Sequence, residues 1–149
     1  MHIGFYEKPH WEVSYLISFR FFLEALPELV GRGATLYLES YEDREEWLPY
    51  FQKHRATPET VESVALAGSL QPTWVEHIAL TDRFIAETEK FYLEWHSPMA
   101  DHVHCYRDGK LLFWFHDAFT GGNMRISPEI PEEKVARFCK ALAPHYERA

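Results

Sequence analysis

Two periods interleave along the chain: short runs that alternate apolar and polar residues, and longer stretches with apolar residues every third or fourth position. "ATLYLES" (34–40) and "WVEHIAL" (74–80) alternate and read as strands. In the second, Trp74, Glu76, Ile78 and Leu80 fall on one face, and Val75, His77 and Ala79 on the other. From 82 to 96, Phe84, Ile85, Thr88, Phe91, Tyr92 and Trp95 form a helical stripe, and Thr81 is placed as its N-cap. "PEEKVARFCKALAPHY" repeats Val135, Phe138, Cys139 and Leu142 at helical spacing, which predicts a final helix with Cys139 as a core residue. Residues 11–26 read as an amphipathic helix that Pro27 ends or kinks, with "GRG" (31–33) marking the stop. Ser40 and Asp43 resemble a capping arrangement for a helix toward His54, on which Trp47, Leu48 and Phe51 share a face. Pro49 keeps that helix short or bent. An extended run is expected near 61–67, and "NMRIS" (123–127) reads as a strand following a "TGG" connection.

The most specific local signal is in "DHVHCYRDGKLLFWFHD" (101–117). Asp108-Gly109 predicts a two-residue hairpin turn, because a type I′ turn needs positive φ at both central positions. With that turn and a regular ladder, Arg107 opposes Lys110, His104 opposes Phe113, His102 opposes Phe115, and Asp101 opposes His116 as a cross-strand ionic contact. One face then holds His102, His104, Tyr106, Leu111, Phe113, Phe115 and Asp117, while Trp114 and His116 point to the other. "LLFWF" is apolar on both faces, the pattern of a central strand covered twice. The expected class is α+β: a mainly antiparallel sheet that includes the 101–117 hairpin, packed with about four helices, with 1–149 as a single domain.

Composition narrows the function. The formal net charge of −8 argues against a nucleic-acid partner, which would need clustered Lys and Arg. The acids concentrate in "ESYEDREE" (39–46), with five acids and one arginine, and in 57–100, with seven acids and two bases. Neither an N-terminal signal pattern nor a run long enough to span a bilayer is legible, so the expectation is a cytoplasmic protein with no membrane association. Cys105 and Cys139 are expected as free thiols.

No catalytic motif is present: "LAGSLQP" lacks the G-x-S-x-G elbow, "TGGN" lacks the lysine of a phosphate loop, and no cofactor is indicated. The reading that follows is a non-enzymatic acidic protein that docks a basic partner protein, in the manner of an immunity protein or a regulator. Its contact residues would be Glu39, Glu42, Asp43, Glu45 and Glu46, with Tyr41 as an aromatic anchor. A homo-oligomer hiding the doubly apolar strand is a further possibility. The alternative is a small-molecule- or metal-binding enzyme sited on the aromatic and histidine face of the hairpin. There His102, His104 and Asp117 would supply metal ligands or acid–base groups, and Tyr106, Phe113 and Phe115 the wall. Glu39 also ends a strand, where catalytic carboxylates can sit beside neighbours such as Glu42 and Asp43.

Overall fold

The structure is a computed structural model that describes residues 9–14, 22–42, 45–59, 61, 72–95, 100–116, 124–143 and 145–149. In chain order the elements are β1 (Trp11–Val13), α1 (Phe22–Val30), β2 (Thr35–Ser40), α2 (Leu48–Lys53), β3 (Trp74–Ala79), α3 (Asp82–Trp95), β4 (His102–Arg107), β5 (Lys110–Phe115), β6 (Met124–Ile126), α4 (Glu132–Leu142) and β7 (Tyr146–Arg148). The seven strands form one antiparallel sheet in the order β3-β2-β4-β5-β6-β1-β7. The fold is therefore α+β, with the β4–β5 hairpin at the centre of the sheet.

All four helices lay apolar residues on the same side of that sheet. Phe22 and Leu26 of α1, Phe51 of α2, Phe84 of α3, and Val135 and Phe138 of α4 join Leu36, Leu38, Ile78, Val103, Cys105, Phe113, Phe115, Met124 and Ile126 in one contiguous core. Three of the helices have a local feature that sets an end. The α3 N-terminus is closed by Thr81, whose Oγ1 accepts the Phe84 N–H at 3.1 Å. Pro49 sits in the first turn of α2, where its missing N–H costs nothing. Gly31, at φ +88°, follows the end of α1 in the left-handed region, and Arg107 lies where a β-carbon would stand.

Four local readings are corrected by the tertiary structure. Pro27 lies inside α1 and does not end it: burial of Phe22, Leu23, Leu26, Leu29 and Val30 outweighs the roughly 3 kcal/mol cost of an internal proline. Residues 11–13, expected as helix, are a strand, because β6 and β7 supply hydrogen-bond partners more than 100 positions away. Ser40 does not cap a helix; its hydroxyl binds Asp101, and the next helix begins at Leu48. The final helix stops at Leu142, since the residue before Pro144 is pushed into extended backbone, and the chain returns as β7. The runs expected at 61–67 and 120–123 lie almost wholly outside the described residues.

Candidate functional site

The β4–β5 turn forms as its sequence dictates, with Asp108 at φ 51° and Gly109 at φ 74°. Beyond it, the regular ladder does not continue. Tyr106 pairs with Leu111, but Cys105 pairs with Phe113, His104 with Trp114 and Val103 with Phe115. Leu112 is thus the extra residue of a β-bulge, and every side chain of β5 after it changes face. Phe113 and Phe115, expected beside the histidines, instead enter the helix-covered core, with ring centroids 5.6 Å from Phe22 in both cases. Trp114 and His116 take their place. The bulge sorts side chains by polarity: without it, an imidazole and an indole N–H would be buried among aliphatic groups, at a desolvation cost, while two phenylalanines faced the polar side.

His116 therefore joins His102 and His104. Its ring stacks on His102 at 3.8 Å between centroids and 9° between planes. The register sets His116 beside His102, and the Asp101 carboxylate accepts the Tyr41 N–H at 2.8 Å and the Ser40 hydroxyl at 3.0 Å. Two imidazoles in parallel planes direct their in-plane lone pairs side by side and not to a common point, a poor arrangement for chelation. Among the described residues no group of three or more His, Cys, Asp or Glu is disposed to hold a metal ion. Asp117, the third ligand in the metal reading, lies outside the described residues.

Followed strand by strand, the register places one residue from every strand in a single row on the face opposite the helices. The row runs His77–Tyr37–His104–Trp114–Arg125–Glu12–Glu147. Its members touch. Tyr37 meets His77 edge-on at 5.3 Å and His104 face-on at 5.5 Å; His104 and Trp114 stack at 5.9 Å. The Arg125 guanidinium lies 5.2 Å from the Trp114 ring and 3.5 Å from Glu12. The middle of the row is buried and its Glu12–Glu147 end is open to solvent.

A second row holds Glu39, paired with His102. Glu39 is fully buried, with its two carboxylate oxygens accepting the Tyr37 hydroxyl at 2.7 Å and the Tyr41 hydroxyl at 2.5 Å. Burial, reinforced by this neighbouring carboxylate, raises the Tyr37 phenol far above its ordinary pKa, so it remains a donor. Tyr41 also packs edge-on against His102 at 5.4 Å. At the β3 edge, the buried Tyr106 hydroxyl accepts the Glu59 N–H at 3.3 Å and lies 3.0 Å from His77 Nδ1. Burial lowers the His77 pKa, favouring the neutral ring.

The residues read from sequence as a docking patch separate here. Glu42, Glu45 and Glu46 are exposed and Tyr41 is half-buried; Asp43 lies outside the described residues. Glu39 leaves that patch altogether, because its place in β2 turns it onto the histidine face. Sequence reasoning gave no site role to Tyr37, His77 and Arg125, and it set Trp114 and His116 on the face opposite His102 and His104. One signal would have found three of them: polar or ring residues two apart in neighbouring strands, as in Tyr37-x-Glu39, His102-x-His104 and Trp114-x-His116. No family model, curated protein or solved structure matches the chain.

Proposed function

We propose that this protein binds a small molecule on the sheet face opposite the four described helices, with Glu39, His102 and His116 as the groups for proton transfer. The observation that carries this reading is the cross-sheet row of imidazole, phenol, indole and charged side chains, adjoined by a buried carboxylate, where a structural sheet layer would hold aliphatic residues. Polar groups are expensive to bury, and their concentration at one place is the usual mark of a working site. The chemistry is suited to acid–base work. Glu39 is fixed between two phenols and paired with His102, and imidazole is the side chain most often used as a general acid or base.

A small-molecule screen read by imidazole NMR resonances tests this. The expected result is a ligand that moves the His102, His104 and His116 signals and binds about tenfold more weakly to Glu39→Gln, a loss of about 1.4 kcal/mol. A ligand that moves only signals elsewhere, or a screen with none, refutes it.

The exposed acids Glu42, Glu45 and Glu46 support a second reading, docking of a basic partner protein. Titration with a lysine-rich peptide at low and physiological salt tests it. Binding that neither weakens with salt nor falls in the triple variant Glu42→Lys, Glu45→Lys, Glu46→Lys removes it.

A further inference from the structure

We infer that β7 is an interaction edge whose partner is the β7 of a second copy of this chain, joining the two seven-stranded sheets antiparallel about a twofold axis at Tyr146. The two edges of the sheet differ. At β3 the outward side is occupied: Arg55 bridges to Ile78, the Ala56 N–H donates to the His77 carbonyl at 2.8 Å, and the Ala79 N–H donates to the His54 carbonyl at 2.9 Å. At β7 it is open. His10 and Ala149 exchange backbone hydrogen bonds, and the Ser14 N–H donates to the His145 carbonyl, which fixes the alternation along the strand. His145, Glu147 and Ala149 thus turn their backbone groups to β1. The N–H and C=O of Tyr146 and Arg148 point away from the sheet, where no hydrogen bond from a described residue meets them. An edge of this kind is a template for another strand.

The side chains select the occupant. His145 and Glu147 lie on the polar side of the sheet with Glu12, and Tyr146 and Arg148 on the helix side with Trp11. Pairing centred on Tyr146 sets this residue against its own copy, with two backbone hydrogen bonds between them. It also sets His145 of each chain against Glu147 of the other, so one contact is made twice, as an isologous interface requires. The His145 and Glu147 side chains are 69% and 63% exposed and available for it. Registers centred on Glu147 or Arg148 put like charges face to face, which is unfavourable. One centred on His145 opposes Tyr146 to Pro144, which has no N–H to donate. The strand therefore carries both signs of charge in an order that complements its own reversal. Three opposed pairs make a small interface, so the dimer is weak, with a dissociation constant on the order of 10⁻⁴ M.

Sedimentation velocity on the full chain, from micromolar to millimolar concentration, reads the equilibrium, and wild type is expected to pass from monomer to dimer. Glu147→Lys replaces the acceptor opposite His145 with a cation and is expected to weaken the dimer by about tenfold. The double exchange of His145→Glu with Glu147→Lys reverses the pair and is expected to restore it. Tyr146→Pro removes an outward N–H that the β1 ladder does not use, and is expected to abolish the dimer with the circular dichroism spectrum retained. A chain that is monomeric throughout overturns the inference. So does a dimer indifferent to Tyr146→Pro and Glu147→Lys, which lies elsewhere on the surface. Loss in Glu147→Lys without recovery in the double exchange overturns the register. If an extended lysine-bearing peptide moves the β7 amide NMR signals of a chain that stays monomeric, the edge belongs to a foreign strand and self-pairing is overturned.

Discussion

The β5 bulge is tested by two substitutions at adjacent positions. Phe113 is fully buried, with ring centroids 5.6 Å from Phe22, 5.9 Å from Phe138 and 6.1 Å from Phe115. Truncation to alanine leaves a cavity between α1, α4 and the sheet and is expected to cost about 3–5 kcal/mol. For a chain of this size that lowers the thermal midpoint by about 10 °C. Trp114 is as deeply buried, so its truncation is costly too, and stability alone does not separate the two faces. The imidazole resonances do. Trp114 stacks on His104 at 5.9 Å and on His116 at 5.2 Å, so Trp114→Ala removes its ring current from both. Phe113→Ala should destabilise the protein and leave those resonances in place. Circular dichroism melts with histidine NMR spectra on both variants give the answer. If Phe113→Ala moves the His104 and His116 signals and Trp114→Ala does not, the regular ladder holds and the polar row is wrong.

Three further outcomes follow from the same packing. Double-mutant cycles on Tyr37→Phe and Glu39→Gln, read by urea denaturation, should show a coupling of about 0.5–3 kcal/mol, since the two groups share one buried hydrogen bond; additivity would contradict it. The His77 pKa is depressed by burial, so its contribution to stability is present above the ordinary imidazole value of 6.5 and is lost as pH falls through the lower folded-state value. Replacing His77 with phenylalanine should flatten that part of the stability–pH curve. Burial raises both thiols, Cys139 to about 11 and Cys105 higher still, and neither is accessible. A disulfide reagent at neutral pH should modify them only as fast as the protein opens, and rapid reaction of native protein would refute that.

The hairpin shows where local information is sufficient. Positive φ at two successive positions selects Asp108-Gly109 whatever surrounds them, and the turn formed as read. Thr81 capping α3 and the apolar stripe of α4 are of the same kind: the interactions span three or four residues, so the pattern carries them. Glu39 belongs to the other category. Its sequence neighbours Glu42, Glu45 and Glu46 suggest a solvated acidic run, yet its strand position turns it to a buried face.

The sequence by itself determined the α+β class, the positions of β2, β3, β4, β5, β6, α3 and α4, and the tight turn at the centre of the sheet. Tertiary structure decided β1 and β7, whose short strands exist only because distant partners complete their hydrogen bonds. It also decided the face of every residue after Leu112. "LLFWF" is apolar throughout, so its own alternation fixes no register. The choice fell to the energy of placing two phenylalanines under the helices and an indole and an imidazole beside Tyr37, His102 and His104, a comparison that exists only once the sheet and its helices have come together.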